Sequence, residues 1–186
     1  MSRPSLQALG DASFARSEHV SAELLALTYG SFVRQLVQDY ESPSDVNAQL
    51  ESIGYNMGVR LVDDFLAKSN ISHCSSLAKT AEVIAKVAFK MFLGVSATVG
   101  VWSQDKKTFG IVFDDNPLAE FAELPEECAG LWYSNVLCGV IRGALEMVNM
   151  KVECRFERCR LRGDECNEIR VSLHEILVEQ PPKGED

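Results

Sequence analysis

Apolar residues recur at helical spacing through the first half of the chain and at strand spacing toward its end. Leu24, Leu25, Phe32, Val33, Leu36 and Val37 fall three and four apart, which predicts a helix over residues 21–40. A second stripe, Val46, Leu50, Ile53, Met57, Leu61 and Phe65, continues to about Lys68. Ser42 suits its N-cap, Pro43 its first helical position, and Asp45 has the capping-box spacing. This helix is long, nearly 40 Å at ~1.5 Å per residue. Gly54 and Gly58 lie four apart on it, each lowering helix propensity by about 1 kcal/mol against Ala. Such a pair makes a smooth face for a closely approaching helix. That helix belongs either to another subunit, which makes Gly54 and Gly58 interface residues, or to the same chain.

A third helix is expected over residues 77–93, with Ala81, Ile84, Ala88 and Met91 on one face and Gly94 as its stop. Two strands, 95–102 and 108–113, follow around a polar turn. Residues 114–130 read as irregular, and a fourth helix, 131–150, is apolar on most of its circumference, so it must be buried on most sides. Gly139 and Gly143 repeat the four-residue spacing there. Val152, Cys154 and Phe156, then Ile169, Val171 and Leu173, alternate with polar residues, the pattern of antiparallel strands with one buried face. The order ααα-ββ-α-ββ predicts an α+β fold, its helices packed on one side of a four-stranded antiparallel sheet. Residues 18–179 form one domain in this reading, between a flexible arm, 1–17, and a flexible acidic tail, 180–186.

Composition narrows the function classes. The 186 residues are 46% hydrophobic and carry a formal charge of −9, which suits one sizeable core and opposes binding to nucleic acid. No apolar run reaches the eighteen or so residues of a membrane span, and the first 17 residues lack the apolar core of a secretory signal. The six cysteines are therefore expected as free thiols in a reducing cytoplasm. His19, His73 and His174 stand apart from any nucleophile motif, no glycine-rich phosphate loop occurs, and the adjacent carboxylates Asp63-Asp64, Asp114-Asp115 and Glu126-Glu127 suit a solvated surface. No catalytic residue and no metal site is assigned. Cys154, Cys159 and Cys166 near His174 lack the paired Cys-x-x-Cys of a zinc knuckle and read as small buried hydrophobes. Cys74 differs. It sits in a loop just before the third helix, beside His73 and near Lys68, a placement that suits a nucleophile or an acylation site.

Ordered motifs then point to a family. LTYG at 27–30, GYNMGVRLVDDFLAKS at 54–69, AKVAFKMFLG at 85–94, NPLAEFAELP at 116–125, YSNVLCGVIRGALEMVNM at 133–150 and LRGD at 161–164 together resemble the Bet-type small subunits of the transport protein particle (TRAPP), most nearly the subunit-three branch. The resemblance implies a non-catalytic subunit that forms heterodimers with sister subunits through its helices. It implies an assembly that tethers vesicles and serves as nucleotide exchange factor for the Rab GTPase of ER-to-Golgi traffic, peripheral at the cis-Golgi and endoplasmic reticulum. It further implies a palmitate-like acyl thioester at the position of Cys74, with its chain in an internal tunnel. Ile84, Ala88 and Met91 would then line that tunnel; Ala88, small among larger neighbours, either leaves room for a ligand or admits a close helix. The C-terminal residues Gly184, Glu185 and Asp186 take the place of a tail that lies at the GTPase. One departure stands out: the family usually has Arg just before this cysteine, where this chain has His73, so a fixed charge becomes a titrating one. The competing function is a lipid-carrying or acyl-transfer protein in which Cys74 turns over.

Overall fold

The computed structural model describes residues 4–71, 74 and 76–177. Six α-helices and four strands follow one another in the order α1 (Leu6–Arg16), α2 (Ala22–Asp39), α3 (Pro43–Ser69), α4 (Leu77–Val83), α5 (Phe89–Leu93), β1 (Thr98–Trp102), β2 (Thr108–Phe113), α6 (Val136–Glu146), β3 (Met150–Arg158) and β4 (Asn167–Ile176). Between α4 and α5 a π-helical turn (Ile84–Ala88) keeps the helix continuous. The strands form one antiparallel sheet in the order β1-β2-β4-β3. Its buried face supplies Phe109, Ile111, Phe113, Val152, Cys154, Phe156, Ile169 and Val171 to the core, which the α+β reading anticipates.

The helix starts follow from their caps. Ser21, Ser42 and Ser76 each accept a hydrogen bond from the backbone N–H three residues on, filling one of the orphan donors of the first turn. Gly94 ends α5 in the left-handed region at φ 72°, where a glycine costs least.

Three expectations need correction. The expected flexible arm, 1–17, contains a helix, Leu6–Arg16, capped by Ser5. The residues it buries fully, Gly10 and Ser13, carry no apolar periodicity, and Leu6, Leu9 and Phe14 are only half-buried. The last helix is shorter than residues 131–150. Asn47 of α3 accepts from the Trp132 N–H and donates to the Gly130 carbonyl, and the Asn135 amide donates back to the Asn47 carbonyl; these bonds hold the chain in turns until Val136. At the other end Asn149 takes φ 65° and breaks the helix before β3. Third, Gly54 and Gly58 face their own chain, not another subunit. A Cβ at Gly54 would run into the Val136 carbonyl, at Gly58 into that of Val140, at Gly139 into that of Glu51 and at Gly143 into that of Tyr55. The pairs climb together, so α3 and α6 run parallel in backbone contact, each offering glycines to the other's carbonyls. Arg142 reinforces the seam, donating from Nε to Glu51 at 2.8 Å and lying 4.4 Å over the Tyr55 ring.

Candidate acyl-binding cavity

Beside the seam lies a cavity of about 640 Å³. Its walls come from α2 (Leu25, Phe32), α3 (Met57, Leu61, Phe65), the α4–α5 helix (Thr80, Ile84, Ala88, Phe92) and α6 (Val140, Ala144, Val148). No Asp, Glu, Lys, Arg or His lies among its described lining residues. The few polar lining groups are largely spent. The Tyr29 hydroxyl donates to the Tyr133 carbonyl at 2.6 Å, and burial, aided by nearby Tyr133, pushes its ionisation well above the ordinary phenol range. The Thr80 hydroxyl donates to the Ser76 carbonyl at 3.1 Å.

Cys74 is also in the lining. Of the six cysteines it is the only one that is not buried. Cys138 and Cys154 are sealed in the core, their thiols pushed up first by burial. Cys159 and Cys166 are likewise buried, and among the described residues no three His, Cys, Asp or Glu side chains gather where they would hold a metal. His19 stacks on Phe14 at 4.3 Å, His174 meets Glu153 on the sheet at 3.2 Å, and His73 lies outside the described residues, as do Gly184, Glu185 and Asp186. One accessible thiol opening onto a space whose described lining is apolar suits a ligand that is hydrocarbon along its length and reactive at one end.

The structure places two of the three expected tunnel residues in the wall, Ile84 and Ala88, but not Met91, which is buried elsewhere while Phe92 lines the cavity. The π turn is the reason. It inserts one residue into the helical repeat, so the wall runs Thr80, Ile84, Ala88, Phe92 in steps of four. A straight helix of about 3.6 residues per turn brings the third of these steps forward by one residue, onto Met91. Sequence spacing also missed the α6 contribution, because Val140 and Ala144 looked like any part of an all-round apolar helix.

Residues 25–172 match the model of the family described as transport protein particle (TRAPP) component. The chain is 53% identical over 179 residues to trafficking protein particle complex subunit 3 of Dictyostelium discoideum, covering 96% of each. It is 48% identical over 185 residues to trafficking protein particle complex subunit BET3 of Saccharomyces cerevisiae, covering 98% of this chain and 96% of that one. Its fold is similar, at TM-score 0.83 and 56% identity, to the crystal structure of a trafficking protein particle complex subunit 3 from Naegleria fowleri covalently bound to palmitic acid, over 85% of this chain and 98% of that one. The chain belongs to the TRAPP component family.

Proposed function

We propose that this chain is the subunit-three component of a TRAPP complex and carries a long-chain fatty acid as a thioester on Cys74, its hydrocarbon held inside the protein. The observation that carries this reading is the Cys74 thiol, the one cysteine that is not buried, in the wall of a cavity of about 640 Å³ with no charged side chain among its described lining residues. The Naegleria relative, covalently bound to palmitic acid, supports it. Burying a methylene contributes ~0.8 kcal/mol, so a sixteen-carbon chain contributes on the order of 10 kcal/mol. A chain so held is part of the core rather than a membrane anchor.

The complex role is architectural. Leu24 and Leu27, each 62% exposed on the outer side of α2, follow Val20 at 74%. This apolar face, in place of the Gly54/Gly58 pair, is the surface offered to sister subunits, since apolar patches of this kind mark association sites. The assembly acts as a tether and Rab exchange factor at the cis-Golgi and endoplasmic reticulum, with Gly184, Glu185 and Asp186 contacting the GTPase. Removing residues 180–186 is expected to slow exchange and leave assembly intact.

Intact mass tests the acyl site. Hydroxylamine nitrogen attacks the thioester carbonyl, the C–S bond breaks, the acyl group leaves as a hydroxamic acid, and Cys74 recovers its thiol proton. Protein from its native cytosol should show a fatty-acyl mass increment that hydroxylamine removes, and Cys74→Ser should show none. A bare chain mass in the untreated protein would discard the acyl-site reading.

A further inference from the structure

The π turn at Ile84–Ala88 has two occupied sides. On one, Ile84 and Ala88 line the cavity. On the other, helix α1 lies against it: Gly10 packs so closely that a Cβ there would strike the Lys86 carbonyl. One turn further along α1, Phe14 sits beneath Lys90, whose Nζ is 5.2 Å from the ring centre. The next contact is Arg16, which donates from Nη2 to the Lys68 carbonyl near the end of α3 at 3.1 Å. Helix α1 thus clips the α4–α5 helix to the end of α3, and Cys74 lies on the connection between those two elements.

This dock is made of small things. The residues α1 buries fully are Gly10 and Ser13, and its large apolar side chains, Leu6, Leu9 and Phe14, are only half-buried. Ser13 is fully buried, and its hydroxyl has no hydrogen-bond partner among the described residues. A buried unpartnered hydroxyl opposes docking. Segments with little buried apolar surface open at the low end of a protein's range of opening free energies. Meanwhile the turn α1 rests on is a π insertion, a form common at functional sites. Close-packed interiors pass displacements across from one face to the other.

We propose that docking of α1 and filling of the cavity are coupled through this turn: an occupied cavity presses Ile84 and Ala88 into the position in which the Lys86 carbonyl receives Gly10, and an empty one releases α1. The inference rests on the lipid-binding reading of the cavity and adds a regulatory output to it. The outer face of α1 then reports, at the protein surface, whether the interior holds a chain. By linkage the effect is reciprocal, and freeing α1 weakens the hold on the ligand.

The test is hydrogen exchange with mass spectrometry on the full-length Cys74→Ser protein, with and without palmitic acid as the probe, alongside wild-type protein before and after hydroxylamine. Peptides containing Ala88 report cavity filling, and peptides from α1 report docking. With palmitic acid or the native acyl group present, α1 amides should exchange at least about fivefold more slowly, the low end of ordinary coupling between sites, while those of β3 and β4 stay unchanged. Gly10→Val should keep α1 fast-exchanging in both states and weaken palmitic acid binding. Ser13→Ala should slow α1 exchange in both states. Protection at Ala88 without any change in α1 would overturn the coupling and leave the lipid site standing. No protection at Ala88 under either condition would overturn the lipid site and the coupling together.

Discussion

Toward α3, helix α6 presents Gly139 and Gly143; toward the cavity it presents Val140 and Ala144. Both sides use small residues, and the results are opposite. Along the seam the two backbones have closed until carbonyls occupy the space a Cβ would need. Along the cavity the side chains of Ala144 and Ala88 line its wall, and no neighbouring helix fills the space in front of them. The difference lies in what stands opposite. At the seam, glycines on each helix meet carbonyls on the other, so approach is rewarded along the whole length, with Cα–H···O contacts adding to dispersion. At the cavity the neighbours are bulky aromatic and branched side chains on separately anchored helices, which hold one another apart. A small residue closes a gap only where its partner is free to approach.

Breaking the seam should have the largest effect. Gly139→Val puts a branched side chain against the Glu51 carbonyl, and backbone cannot yield as a side-chain tip does. The expected loss exceeds about 3 kcal/mol, above the usual range for overpacking, read as the shift in a urea unfolding curve. A loss under about 1 kcal/mol would show that the helices slide apart freely and that the seam is not the rigid member of the pair.

Filling the cavity should be much milder for stability and severe for ligand. Ala88→Leu adds volume where space exists, so unfolding should shift by less than about 1 kcal/mol, against ~1–3 kcal/mol for overpacking a closed core. The same variant should retain at most about a tenth of the wild-type acyl load by intact mass, since even 1.4 kcal/mol of lost binding is tenfold. Wild-type loading in Ala88→Leu would place the chain elsewhere.

The smallest effect separates the sealed cysteines from the open one. Burial holds Cys138 and Cys154 above their ordinary value of 9.0 and Tyr29 above 10.0. The unfolded chain releases these protons first, so alkali favours unfolding. Their contribution is complete below about pH 9 and declines as pH rises beyond it. The urea midpoint should therefore stay level up to pH 9 and fall above it, and Cys154→Ala should flatten part of that fall. A midpoint that rises above pH 9 would contradict the burial of these groups.

Much of this was legible in the chain. Residues 43–69 announced themselves by the Ser42 cap, Pro43 and a six-member apolar stripe, and the last two strands by strict alternation, because large apolar side chains buried at a fixed period leave a periodic trace. Cys74 was legible as a loop thiol just before a helix, and Ile84 and Ala88 as one face of that helix. What stayed hidden was whatever depends on contacts between elements. No residue type marks a π turn, so Met91 was expected where Phe92 stands. Gly10 and Ser13 leave no apolar trace, so α1 was read as an arm. The glycine pairs were seen, but nothing in a linear sequence tells whether the carbonyls they will meet belong to the same chain.

The parallel course of α3 and α6 also has a consequence for timing during synthesis. The seam joins residues 82 to 91 positions apart in the chain, from the Gly54–Val136 and Gly58–Val140 contacts to the Glu51–Arg142 pair. Synthesis runs from the N-terminus, so Cys74 leaves the ribosome long before Val140, Ala144 and Val148, which complete the wall. Until then a nascent chain has the Cys74 thiol and no room behind it. On the acyl-binding proposal, the hydrocarbon could be housed only once residues up to Met150 are made, which would make its uptake a step of maturation.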